Sequence, residues 1–170
     1  MVESRICTPI VLKGLSGIDE FLTVAQSILQ RRKSRAGRSL EHHVAYILRE
    51  AGIPFDDQPE VDKTRPDILI PGRDQYNDLS WPLAKLFVVG LKTTCKDRWR
   101  QVKQEAPRIP EKIILTLQNG ISIPQMEEME NAGVTLVVPK DLHVTYPEAI
   151  QGKLLTVEQF IGNVRAALKK

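Results

Sequence analysis

Cysteine is nearly missing from this chain, with only Cys7 and Cys95 among 170 residues. Two isolated thiols make no disulfide framework and show no metal-ligand spacing, which fits a reducing compartment. Long apolar runs are missing too. None approaches the length of a membrane span and the N-terminus has no signal-peptide h-region, so the expectation is a cytoplasmic protein with no membrane partner. Charge of one sign is not in great excess: 24 Lys and Arg stand against 21 Asp and Glu, a net +3 with a pI near 8.9. That mildly basic balance does not by itself establish nucleic-acid binding. Internal repeats, low-complexity segments and long linkers are also lacking. What remains is an ordinary globular composition, 42% hydrophobic and 26% charged, with room for one domain around a real core.

The coarse pattern alternates. Ser16 with Asp19 has the form of a capping box for a helix to about Arg32, with Phe21, Leu22, Ala25, Ile28 and Leu29 as its apolar stripe. A basic run, Arg31 to Arg38, follows. Ser39 then caps a second helix, in which Leu40, Val44, Ile47, Leu48 and Ala51 share a face and Gly52 is the stop. Strands are expected at 67–70, 86–94, 113–118 and 134–138, and helices at about 97–106 and 124–132. A final helix is signalled by a Thr156–Gln159 capping box with Leu155 stapled to Phe160. Strands interleaved with helices predict an α/β fold, a sheet sandwiched between helices. The whole of 1–170 is expected to be a single domain, with 1–30 as an N-terminal helical segment and 31–165 as the core.

Three segments carry polar groups that a bland fold does not require. Asp67 opens the apolar strand Ile68-Leu69-Ile70, although an Asp before a strand is common for turn reasons alone. Lys92 ends a strand beginning Leu86-Phe87-Val88-Val89. Period-2 alternation puts it on the face of Val88 and Gly90, and it needs either solvent or a charged partner. Gly90, two residues earlier on that face, leaves space for a close approach. Glu105 sits seven residues after Arg98 on a predicted helix, on the same face and roughly 10 Å away. Individually each has a plain explanation as a turn, a snorkelling lysine or a solvated helix. Together they fit one chemistry: phosphodiester hydrolysis, with Asp67 and Glu105 holding Mg²⁺ by oxygen and Lys92 beside the phosphate and the attacking water. Glu41 is a fourth catalytic candidate at the edge of its helix's apolar arc, or simply a solvent-facing Glu favoured by the helix dipole.

With these residues assembled, the chain resembles the restriction endonucleases of the PD…K superfamily. More narrowly, it is similar to the catalytic (C-terminal) domain of the EcoRII type, close to the PspGI and SsoII/Ecl18kI group. The resemblance runs from about Arg31 to Phe160 and is carried by 34–41 (Ser34 to Glu41), Pro66-Asp67, and 92–100 (Lys92 to Arg100) with Glu105. The widespread form of the motif has an acid two residues before the lysine, where this chain has Gly90. In the subgroup it resembles, that acid moves to a glutamate thirteen residues after the lysine, and Glu105 stands there.

The resemblance implies a restriction-endonuclease-like α/β fold with a central mixed sheet flanked by helices, Asp67 and Glu105 as metal ligands, Lys92 as the catalytic lysine and Glu41 as part of the acidic cluster. It also implies Lys96, Asp97 and Arg98 as readers of C·G pairs in a CCWGG-like site (W being A or T). Arg can pair bidentately with guanine and Asp can accept from cytosine, which agrees. Arg31, Arg32, Lys33, Arg35 and Arg38 would clamp DNA phosphates, or else form a solvated, flexible linker. His42 and His43 read as packing or surface residues, and Cys95 as a small strand-end residue. The family's N-terminal effector domain has no counterpart, so the expectation is either an isolated catalytic module or a compact enzyme. A homodimer on double-stranded DNA is expected, because one site cuts one strand. Two other readings remain: a repair or junction-resolving nuclease of the same fold, distinguished by cutting junctions or mismatches, and a DNA-binding module without catalysis.

Overall fold

The computed structural model describes residues 2–95 and 98–169. The chain divides into two compact units, 1–39 and 40–170. In the first, α1 (Val2–Lys13) is followed by Gly14 at φ 78°, a left-handed conformation that glycine adopts without penalty. The helix after it, α2, runs from Ile18 to Glu50 without interruption.

Two expectations change here. The basic run is not a linker, and Ser39 does not start a second helix, because one helix passes through both. Arg, Lys and Ala are good helix formers, and only Gly37 weakens the stretch. Ser16 pairs with Glu20 instead of Asp19, its backbone N–H and hydroxyl both donating to Glu20 Oε2 at 2.6 and 2.5 Å. Phe21, Leu22 and Leu29 are about half exposed.

In the second unit α2 ends as predicted at Gly52, φ 65°, where the Ile53 and Gly52 N–H groups donate to the carbonyls of Leu48 and Arg49. Five strands form one sheet in the order β1 (Asp56–Asp57), β2 (Ile68–Ile70), β3 (Phe87–Lys92), β4 (Lys112–Thr116) and β5 (Val134–Val137). The pairs β1–β2 and β2–β3 are antiparallel, while β3–β4 and β4–β5 are parallel. The sheet is therefore mixed, as expected.

Alternation along the strands feeds two cores. On one face Ile114 and Leu136 pack with Trp99 and Val102 of α4 (Trp99–Gln104) and with Met126 and Met129 of α5 (Ile123–Asn131). On the other, Val89, Leu91, Leu115 and Val137 pack with Leu40, Val44 and Leu48 of α2 and with Phe160 and Val164 of α7 (Val157–Lys169). The last helix begins as its sequence predicts. The Gln159 N–H donates to Thr156 Oγ1 at 3.2 Å and the Thr156 N–H to Gln159 Oε1 at 2.8 Å.

Candidate active site

The site is built where β2 and β3 pair. Ile68 lies opposite Val89, so Asp67 falls opposite Gly90 and its side chain shares the face of Gly90 and Lys92. Asp67 Oδ2 accepts from the backbone N–H of Leu91 at 2.6 Å and from Lys92 Nζ at 2.5 Å. The lysine needs solvent or a charged partner, and it has the partner. Both side chains are largely shielded, at 14% and 19% exposure, which strengthens the pairing relative to a surface ion pair.

Gly90 explains how the third residue arrives. A β-carbon there would lie 2.6 Å from one γ-methyl of Val102 and 3.0 Å from the other. The close approach predicted at this glycine is thus made by α4, whose fully buried Val102 sits against the bare backbone of β3. The same contact leaves no room for a carboxylate at position 90.

Glu105 then comes from the end of α4, a correction to the expected helical placement. The helix stops at Gln104, Glu105 is extended (φ −77°, ψ 144°), and Ala106 has φ 44°. Pro107 follows and disfavours helix in the residue before it. Arg98 and Glu105 therefore flank α4 as its two caps and do not share one of its faces. Glu105 Oε2 is buried with no hydrogen-bond partner among the described residues. Burial pushes the Glu105 carboxyl above its usual range, nearby Lys92 and Lys112 pull it down, and nearby Asp67 pushes it up. Asp67, Lys92 and Glu105 thus share one electrostatic site.

The other predicted residues are placed as follows. Glu41 is half-buried on α2 beside buried Leu40, and His42 and His43 are exposed. Among the described residues no group of three or more His, Cys, Asp or Glu forms a ready-made metal cage. Arg98 is exposed at the N-cap of α4, and Lys96 and Asp97 lie outside the described residues. In the first unit Arg31, Arg32, Lys33 and Arg38 are exposed on α2 and Arg35 is half-buried.

Three buried polar side chains among the described residues, Thr116, Gln118 and Lys112, escaped the sequence reading, and two of them bear on the site. Gln118 accepts from the Cys95 N–H at 2.7 Å and donates to the Gly120 carbonyl at 2.9 Å, while its own carbonyl accepts from Tyr146 Oη at 2.8 Å. The carbonyl of Cys95 in turn accepts from the N–H groups of Arg98 and Trp99, so this cluster anchors the start of α4. Cys95 is fully buried, as a small strand-end residue can be. Lys112 is the second, 2% exposed at the start of β4. Nothing but its position in a strand marks it in the sequence.

The donor set suits a hard divalent cation: two carboxylates, oxygen only, one of them with a buried oxygen that no described residue satisfies. A cation there would remove the penalty of that orphaned oxygen.

Comparison with known proteins identifies the family and the fold. Residues 1–161 match the family model described as EcoRII C terminal. The chain is 42% identical over 166 residues to the type II restriction enzyme EcoRII of Escherichia coli, covering 96% of this chain and 41% of that protein. It is 30% identical over 125 residues to the type II restriction enzyme SsoII of Shigella sonnei, covering 67% of this chain and 40% of that protein. The chain spans about two fifths of the length of the curated relatives it matches. Among solved structures, metal-depleted Ecl18kI in complex with uncleaved DNA superposes with a TM-score of 0.73 at 26% identity, covering 85% of this chain and 49% of that one. A PspGI–substrate DNA complex superposes with a TM-score of 0.73 at 16% identity, covering 98% and 73%, and shares the fold.

Proposed function

Because the chain belongs to the EcoRII C-terminal family, we propose that it is the catalytic domain of a type II restriction endonuclease. It hydrolyses double-stranded DNA at a CCWGG-like sequence with Mg²⁺ as cofactor. The observation that carries this reading is the convergence of Asp67, Lys92 and Glu105, with one Glu105 oxygen buried and satisfied by no described residue.

Asp67 and Glu105 would hold the metal, and a bound ion would supply Lewis acidity toward the scissile phosphate and the attacking water. Asp67 is held by two donors on Oδ2, the Leu91 N–H and the Lys92 ammonium, which orients Oδ1 for a ligand without further ordering. The Lys92 ammonium faces the phosphate, orients the attacking water and stabilises the charge that grows on the phosphoryl oxygens. Such preorganised donors act more strongly in a shielded site than in water. Glu41 completes the acidic cluster from α2.

Specificity comes from Lys96, Asp97 and Arg98 in the major groove, with Arg98 bidentate to guanine and Asp97 accepting from cytosine. Arg98 stands at one end of α4 and Glu105 at the other, so a wrong base pair that displaces the helix also displaces a metal ligand. Arg31, Arg32, Lys33, Arg35 and Arg38 contact phosphates, without reading sequence. Two copies act on the near-palindromic site, each cutting one strand. That Ecl18kI has been captured on DNA supports a duplex as the substrate.

Incubation with plasmid DNA and Mg²⁺, followed by mapping of the cut ends, tests the reading. Discrete fragments ending at CCWGG are expected. Cutting at junctions or mismatches would assign a structure-reading nuclease instead. Specific binding with no cleavage in Mg²⁺ or Mn²⁺ would leave a DNA-binding module.

A further inference from the structure

Lys112 is a lysine where the fold has no obvious use for one. It opens β4 at 2% exposure, and an unpaired ammonium so buried is costly. Its Nζ donates to three backbone carbonyls, those of Glu105 at 2.6 Å, Ala106 at 2.8 Å and Ile109 at 2.5 Å. An ammonium has three N–H groups and no acceptor, so each one is used. Three simultaneous carbonyl acceptors match the three N–H groups of the ammonium form.

The carbonyls it gathers belong to the turn that delivers Glu105. That turn follows a helix of only six residues and passes through Ala106 at φ 44°. A helix so short has little stability of its own, and a non-glycine residue at positive φ persists only where its surroundings hold it. One other anchor comes from the Ala106 N–H, which donates to Thr64 Oγ1 at 3.1 Å. Neither anchor touches the Glu105 carboxylate oxygens through a hydrogen bond or ion pair among the described residues, so control passes through the backbone.

We propose that Lys112 is a positioning residue for the metal ligand Glu105, its ammonium gathering the carbonyls of Glu105, Ala106 and Ile109 and thereby setting where the carboxylate points. The sheet then governs the whole site. Lys92 stands on β3, Asp67 precedes β2, and Glu105, which no strand carries, is tied to β4 through Lys112. This rests on the reading of Asp67 and Glu105 as metal ligands.

Lys112→Met keeps the stem and removes every N–H. The protein is bound to a CCWGG duplex carrying cleavage-resistant phosphorothioates at the scissile positions and titrated with Mn²⁺, with free Mn²⁺ followed by electron paramagnetic resonance. DNA affinity in EDTA and thermal melting are measured on the same samples. The expected result is a Mn²⁺ dissociation constant raised at least about tenfold, with DNA affinity in EDTA within about twofold of wild type, as for a single lost ligand geometry. Ile150→Val, a core change around α5 and α6 (Glu148–Gln151), should lower the melting temperature without moving the Mn²⁺ constant. If Lys112→Met melts earlier but binds Mn²⁺ as wild type does, Lys112 only supports the fold and the proposal is overturned. Should Lys112→Met not fold, Lys112→Gln keeps two N–H donors and is judged by the same titrations. Failure of the wild type to bind Mn²⁺ on its duplex would instead refute the metal site itself.

Discussion

Replacing Gly90 with Ala puts the central packing claim under direct strain. The new β-carbon would meet the γ-carbons of Val102 at 2.6 and 3.0 Å, closer than van der Waals contact allows. Val102 is fully buried in the cluster with Trp99 and Ile114, so it has no free space to rotate into. Either α4 lifts away from β3 or the core deforms, and overpacking of this kind costs about 1–3 kcal/mol. Val102→Ala alone removes two buried methyl groups and leaves a void, at about 2 kcal/mol. The double variant Gly90→Ala/Val102→Ala supplies the space that the first change needs and fills part of the hole that the second leaves. Its loss should therefore fall below the sum of the two single losses by at least about 1 kcal/mol, the range for residues in contact. Equilibrium urea unfolding of the three variants measures this. A Gly90→Ala protein as stable as wild type, or a double variant additive within about 0.5 kcal/mol, would refute the packing of α4 on a bare β3 backbone. A lifted α4 also displaces Glu105, so Gly90→Ala should weaken metal-dependent cleavage more than it weakens DNA binding.

Three further outcomes follow from the geometry. Thr156→Ala removes the hydroxyl that accepts from the Gln159 N–H and should cost about 1 kcal/mol in urea unfolding. Burial pushes the hydroxyl pKa values of Tyr76 and Tyr146 up to about 12. The folded state thus holds these protons more tightly than the unfolded chain, where tyrosine ionises near 10. Their contribution is fully present below pH 10 and is lost as pH rises from 10 to 12, at about 3 kcal/mol per phenol, and Tyr146→Phe should shallow that decline in a pH series of melts. Arg98→Ala should cost about 1–3 kcal/mol of binding to the CCWGG duplex and relax discrimination at one base pair, measured by competition with single-substituted duplexes.

Where local physics decides the structure, the sequence was readable. The alternation along β3, the stop at Gly52 and the Thr156–Gln159 capping box all follow from periodicity or from groups a few residues apart. Gly90 was readable as a close approach, though not which residue makes it, because Val102 is twelve positions away and meets it only when α4 folds back. The unbroken α2 was misread at its basic run. Charge suggested a solvated break, while the helix propensity of Arg, Lys and Ala favoured continuation. Glu105 was read onto a helix face because a spacing of seven fits one, and the turn at Ala106 carries no glycine to announce it. Lys112 and Gln118 were illegible, since their importance lies in carbonyls and N–H groups that only tertiary folding brings within reach.

The central claim is that Lys92, paired with Asp67 and close to Glu105, acts on the phosphate. Lys92→Ala compared with wild type, for cleavage of a CCWGG duplex in Mg²⁺ and for binding of the same duplex in EDTA, tests it most directly. The account predicts a cleavage rate lower by at least about a hundredfold, the scale for losing a preorganised charge-stabilising donor, with binding changed only a few-fold. Cleavage by Lys92→Ala at the wild-type rate would contradict it.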